Sequence, residues 1–340
     1  MSQPPTSPPT DPPPTARSVA AVGGLLLLAL LSACGDATEG PTAEGDEPGR
    51  LVVIGGGLSQ DNEAVYRAIL EGREGEGPIC VIPTAGASPR SSMESAVERI
   101  DRWGSAGTAR GVFISTENPE SARDPEVVSE LEGCGGFFFT GGVQSRIVDV
   151  FRPDGEDSPA YGALLSRWRT GAVVAGTSAG AAMMSHPMLA GGDSETAWAE
   201  GVEEGVRLER GMAFLPGLLV DQHFLARGRI GRLMAAVVHG EDFDLGAGVD
   251  ENTALVVDGD RGWVVGASGV VLVEAAEGVG AEGADHLVSD DAGGERVGAL
   301  RIHLLGAADT VVFGRREVRT AADKRPVAEL RGSGRESAGP

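Results

Sequence analysis

The sequence predicts an α/β protein with a mainly parallel sheet, helices on both of its faces, and a β-rich C-terminal extension. Three observations lead there. Short apolar runs recur around 50–55, 79–83, 136–140 and 172–175 without polar alternation, as strands buried on both faces require. A turn of small residues and an amphipathic stretch follow most of these runs, which is the rhythm of strand–helix units. Beyond Leu245 that rhythm stops, and apolar segments follow one another with only turn residues between them.

The elements can be justified in order. Arg50–Gly55 is an apolar strand, followed by Gly56 and Gly57 and a helical pattern over 62–70. The glycine run suggests a dinucleotide turn, but the Rossmann spacing needs a third glycine where Gln60 stands, so cofactor binding is weakly supported. Ile79–Pro83 is the next strand and leads through small residues to a helix over 91–103. A strand over 110–114 and a helix over 124–131 follow. Gly136–Thr140 is a strand ending at Gly141-Gly142, with Gln144 on the helix after it; a helix over 161–169 then leads into the apolar run 172–175. The carboxyl ends of these strands, near Gly55, Thr84, Gly142 and Ser178, are where a parallel sheet gathers active residues. Further on, 191–195 reads as a loop, 207–213 and 218–221 as strands, and 227–238 as a helix. Strands are expected at 253–257, 262–267, 270–274, 301–305 and 310–313, with Asp258-Gly259-Asp260 as a hairpin turn.

The ends of the chain read differently. Residues 1–16 are rich in Pro, Thr and Ser and cannot build a core. Arg17 precedes an apolar run over 19–31, short for a membrane span and suited to a signal-peptide core. It closes on Leu31-Ser32-Ala33-Cys34, which resembles the bacterial lipobox. That resemblance implies a signal peptide over 1–33, lipidation of Cys34, and an exported protein anchored to a membrane of the cell envelope. Residues 34–49 read as a flexible acidic tether, 50–316 as the folded domain, and 317–340 as a polar tail. The formal net charge of −22, with no Lys/Arg block, argues against nucleic acid as a partner. Cys80 and Cys134 remain in the folded part, and their pairing is open. No Cys-x-x-Cys or His-rich spacing suggests a metal, and no cofactor is implied.

Chemistry concentrates at Gly176-Thr177-Ser178-Ala179-Gly180, a Gly-x-Ser-x-Gly match between a buried strand and small residues that can open a helix. Such a turn lifts a serine hydroxyl clear of the sheet beside backbone N–H groups able to hold an oxyanion. The competing reading is an ordinary strand–helix turn with a capping serine. A nucleophile needs a base, and His223, at the end of the strand 218–221, is placed to reach a site. Asp193, Glu195 and Asp221 are all candidates for the carboxylate that orients it.

Gly176–Ala182, Gly192-Asp-Ser-Glu195, Asp221-Gln-His-Phe224 with Arg227, Arg229 and Arg232, and Gly248-Val-Asp-Glu-Asn-Thr253 together resemble cyanophycinase, in the peptidase S51 family of serine exopeptidases related to aspartyl dipeptidase. The resemblance implies a class I glutamine amidotransferase-like (flavodoxin-like) fold. It implies Ser178 as nucleophile, His223 as general base and then acid, and Glu195 as the orienting carboxylate. Ala179, with Gly142 or Val143, would supply the oxyanion hole. Gln144, Asp221, Gln222, Arg227, Arg229 and Arg232 would bind a substrate rich in Asp and Arg, with arginines matched to carboxylates. The implied reaction is hydrolysis of cyanophycin to β-aspartyl-arginine, and a homodimer is a candidate assembly. The sequence departs from the family at Val143, where a polar residue is common. Two alternatives stand beside this one: an aspartyl dipeptidase or isopeptidase of the same family, and a lipoprotein that binds such peptides without cutting them.

Overall fold

The computed structural model describes residues 47–239, 243–275 and 300–321. The signal peptide, Cys34 and most of the tether lie outside the described residues, as do residues 322–340.

The chain opens with β1 (Leu51–Ile54), α1 (Glu63–Glu71), β2 (Ile79–Ile82), α2 (Pro89–Trp103), β3 (Ala109–Gly111), α3 (Pro125–Glu132), β4 (Gly136–Phe139), α4 (Gln144–Phe151), α5 (Pro159–Arg169) and β5 (Val173–Thr177). Helix starts follow local chemistry: Asn62, Asp124 and Ser158 each accept a backbone N–H of the first turn of α1, α3 and α5. The strands run parallel in the order β1-β5-β4-β2-β3. Both faces are dry. Leu51 and Val53 enter one hydrophobic cluster and Val52 and Ile54 the other, and Phe137 and Phe139 are likewise separated from Phe138. This accounts for the unbroken apolar runs, because a parallel sheet covered on both sides needs apolar residues at every position. Cys80 in β2 and Cys134 just before β4 form a disulfide across neighbouring strands, with Cα atoms 5.9 Å apart.

Beyond β5 come α6 (Ala179–Ala182), β6 (Met188–Gly192), α7 (Ser194–Ala199), α8 (Val202–Gly205), β7 (Val206–Glu209), β8 (Leu218–Gln222), α9 (Ile230–His239) and β9 (Leu245–Val249). The chain closes with β10 (Thr253–Asp258), β11 (Arg261–Gly266), β12 (Gly269–Ala275), β13 (Leu300–Gly306), β14 (Thr310–Val312) and β15 (Glu317–Arg319). β10 adds antiparallel to β1 and continues through β11, β14 and β15, so among the described residues the first sheet has nine strands. A second sheet has the order β13-β12-β9-β8, in which β8 and β9 are parallel.

Several boundaries differ from expectation. The strand foreseen at 110–114 is only Ala109–Gly111, which among the described residues is an edge strand paired to β2. The strand foreseen over 207–213 is Val206–Glu209. The helix foreseen from 227 begins at Ile230, because 224–229 forms a turn held by Asp250, whose carboxylate accepts the N–H groups of Leu225 and Ala226. Residues 317–319, expected in the polar tail, instead close the edge of the first sheet as β15.

Candidate active site

Ser178 follows β5 with φ 55° and ψ −112°, a backbone conformation rare outside glycine. Holding a serine there costs about 1–3 kcal/mol, and the surrounding packing must offset it. Gly176 and Gly180 make the turn fit: a Cβ on Gly176 would come within 2.0 Å of the Gly180 carbonyl oxygen. The pentapeptide therefore forms a sharp strand-to-helix turn with the hydroxyl projecting from it.

His223 follows β8, also at positive φ (49°). Its Nε2 lies 2.9 Å from Ser178 Oγ, and its Nδ1 lies 2.5 Å from Glu251 Oε1. The Glu251 carboxylate accepts, so the ring hydrogen sits on Nδ1 and the Nε2 lone pair faces the serine hydroxyl. That is the polarity needed to withdraw a proton from Ser178.

Three consecutive carbonyls hold these residues together. Ile54 O accepts the N–H of Ser178, Gly55 O that of His223, and Gly56 O that of Asn252. The end of β1 is thus a hub between the two sheets. Gly56 (φ 104°) also leaves room for the imidazole, since a Cβ there would come within 2.3 Å of His223 Nε2. The glycine run that suggested a nucleotide turn is occupied in receiving the histidine.

The expectation for Glu195 is corrected by this geometry. Glu195 is exposed in the first turn of α7, where a carboxylate complements the helix dipole, and Nδ1 of His223 is taken by Glu251. Asp193, the other acid of that loop, caps α7. The Thr196 backbone N–H and then its hydroxyl hold the Asp193 carboxyl below its ordinary value. Glu251 went unassigned in the sequence because its proximity depends on β8 and β9 being parallel. Gln222 and Val249 are register partners, so residues just past them emerge side by side. The usable signal was an acidic residue just past a buried strand, within the Gly248–Thr253 segment.

The substrate-binding expectations divide. Asp221 is 1% exposed and receives a bidentate pair from Arg232, with Nε–Oδ2 2.7 Å and Nη2–Oδ1 2.5 Å. Arg232 Nη1 also donates to Gly192 O at 2.7 Å. Both side chains are buried and mutually committed, tying β8, α9 and the β6–α7 turn together. Neither presents a free group to a ligand, which corrects the binding role expected of them. Arg229 donates to Gln222 O at 2.6 Å and lies 3.5 Å from Asp221; burial pushes its pKa down and Asp221 opposes that. Arg227 is exposed and makes no ion pair among the described residues. Gln222 lies at the nucleophile, with Oε1 3.3 Å from Ser178 Oγ, while Gln144 donates to Leu189 O at 2.8 Å.

Two backbone N–H groups belong to the turns that meet at the serine. Neither Ala179 nor Gly142 gives its N–H to a protein acceptor among the described residues, whereas the Val143 N–H is spent on Ala85 O at 2.9 Å. A Cβ on Gly141 would stand 3.3 Å from Ser178 Cβ, so the turn after β4 abuts the nucleophile. Of the two expected partners for Ala179, Val143 has its N–H engaged, whereas that of Gly142 has no protein acceptor among the described residues.

Comparison with known proteins gives consistent results. The model of peptidase family S51 matches residues 51–265. Cyanophycinase from Nostoc sp. is 33% identical over 232 residues, covering 67% of this chain and 74% of that protein. Cyanophycinase from Geminocystis herdmanii is 28% identical over 232 residues, covering 68% and 80%. Among solved structures, a peptidase from an acI-B1 Actinobacterium superposes with a TM-score of 0.51 at 21% identity, over 66% of this chain and 91% of that one, a likeness of fold.

Proposed function

Because the chain belongs to peptidase family S51, we propose that this hydrolase is an exopeptidase that cuts an arginine-bearing polyaspartate, cyanophycin, to β-aspartyl-arginine through an acyl-enzyme. One observation carries the chemistry: Glu251, His223 and Ser178 stand in line at hydrogen-bonding distance. The curated relatives named cyanophycinase support the substrate.

In this reading Ser178 Oγ attacks the scissile carbonyl carbon as His223 Nε2 takes its proton. Glu251 stabilises the imidazolium and keeps the ring's tautomer. The N–H groups of Ala179 and Gly142 hold the oxyanion of the tetrahedral intermediate. On collapse the C–N bond breaks, and Nε2 returns its proton to the leaving amine. Water, deprotonated by His223, then frees the acyl group. Of the expected binding set, Gln222 lies at the nucleophile and Arg229 donates to the Gln222 carbonyl oxygen. Exposed Arg227 is available to pair with substrate carboxylates.

Incubating the full chain with cyanophycin should release β-aspartyl-arginine, identified by mass, and Ser178→Ala should release none. Equal release by both proteins would remove Ser178 from the reaction. Release from α-aspartyl dipeptides alone would shift the assignment to an aspartyl dipeptidase.

We also propose that the protein is exported and anchored through lipid on Cys34. The lipobox-like 31–34 segment and the Cys80–Cys134 disulfide support this, since structural disulfides persist mainly in oxidising compartments. Cys34→Ser should abolish incorporation of labelled palmitate and release the protein from the membrane fraction; unchanged labelling would overturn the anchor.

A further inference from the structure

A cavity of about 400 Å³ opens beside the nucleophile, between α1, α2 and the carboxyl ends of β4 and β5. Its wall includes Ser178, Thr177 and Gly141 on one side, and Ser91, Ser95 and Arg99 on the other. The last three recur at four-residue intervals along α2, so they share one helix face. No Asp or Glu lines the cavity, and among the described residues Arg99 makes no ion pair with a carboxylate, in a chain whose formal net charge is −22. Arg99 lies beside Tyr66, whose hydroxyl pKa is pushed up by burial against the pull of that guanidinium. Thr140, also in the wall, is 5% exposed, and its Oγ1 is buried without a hydrogen-bond partner among the described residues. A buried hydroxyl of that kind calls for a partner.

The cavity touches Ser178 but not His223, Gln222 or Arg229. A leaving amine must collect its proton at His223 Nε2, so it departs on the imidazole side. A pocket that shares the nucleophile without the imidazole therefore receives the acyl part of the substrate. We propose that this cavity is the acyl-side specificity pocket of the enzyme, and that Arg99 selects an acyl residue whose side chain carries a carboxylate. The proposal rests on the reading of Ser178 as the acyl-transfer nucleophile. The volume exceeds the needs of a carboxymethyl group, so the carboxylate belongs either to a plain aspartyl residue or to an amino acid amide-linked through that aspartyl's β-carboxyl.

The test uses the full chain and three peptides that differ only at the acyl residue: aspartyl, asparaginyl, and aspartyl bearing a β-linked amino acid with a free carboxylate. The wild type should cut the carboxylate-bearing peptides at least about tenfold faster, in kcat/KM, than the asparaginyl peptide. Arg99→Gln should erase that preference by raising KM for the acidic peptides while leaving the asparaginyl peptide unchanged, and Arg99→Lys should restore part of it. Whichever acidic peptide loses most in Arg99→Gln identifies the source of the carboxylate. A preference that survives Arg99→Gln, or none in the wild type, overturns the proposal and leaves the serine chemistry standing. A second measurement is independent of turnover: N-acetyl-aspartate should bind the Ser178→Ala protein at least about tenfold more tightly than N-acetyl-asparagine, and adding Arg99→Gln should remove the difference. Selective binding with no peptide cut by the wild type would sink the serine reading and keep the pocket; equal binding of the two ligands would sink the pocket.

Discussion

The two sheets contribute to the site in different ways. The first sheet delivers Ser178 from a local turn, with the flanking glycines, the strained serine and an Ala179 N–H that has no protein acceptor among the described residues, all within one pentapeptide. The four-stranded sheet delivers His223 and Glu251 from segments 28 residues apart, brought together only because β8 and β9 run parallel in register. The first contribution is set by chain geometry over a few residues, and the second by long-range pairing. Between them, the end of β1 hands successive carbonyls to Ser178, His223 and Asn252.

The sharpest test of the local half is Ser178→Ala. It should cost about 10⁶-fold in kcat on the best peptide substrate, with the thermal midpoint unchanged. Residual activity within tenfold of wild type would break the assignment. For the paired half, Glu251→Gln should cost about 10²–10⁴-fold while Glu195→Gln stays within about twofold of wild type. The reverse order would return the orienting role to the α7 loop. The joint between the halves is tested by Gly56→Ala, whose new methyl meets the His223 ring; kcat/KM should fall at least about 100-fold with the circular dichroism spectrum retained.

The arginine-bearing segment should respond in stability. Removing one partner of the buried Asp221–Arg232 pair, as in Arg232→Met, should destabilise the fold by about 3–5 kcal/mol in chemical denaturation. A loss confined to KM at unchanged stability would instead make Arg232 a substrate ligand. The smallest expected effect concerns Asp250. Burial works to raise its pKa, but the Ser268 hydroxyl and the N–H groups of Ala226, Glu251 and Leu225 outweigh it and hold the carboxyl below its ordinary value. A depressed folded value means that its contribution is present above the unfolded pKa and fades as pH falls through the folded one. The thermal midpoint should therefore drop below about pH 4, and Asp250→Asn should flatten that part of the decline.

The parallel core was legible because its strands are buried on both faces, and 51–54, 79–82 and 136–139 advertise this as unbroken apolar runs. Ser178 and His223 were legible as a motif and a strand-end histidine. Glu251 was not singled out, because nothing in the one-dimensional order says that β9 lies beside β8. Asp221 and Arg232 were legible as charged residues near the site, but their mutual neutralisation was not: it needs the turn at 224–229 to bring Arg232 of α9 back to the end of β8.

By itself, the sequence determined what depends on neighbours along the chain: the buried strands and the serine turn. Tertiary structure alone decided which carboxylate faces His223, which arginines are spent inside the protein, and why the glycines after β1 are needed. The physical reason is reach. Backbone turns and hydrophobic periodicity act over a few residues, whereas a hydrogen bond about 3 Å long between residues dozens of positions apart exists only once the strands have paired.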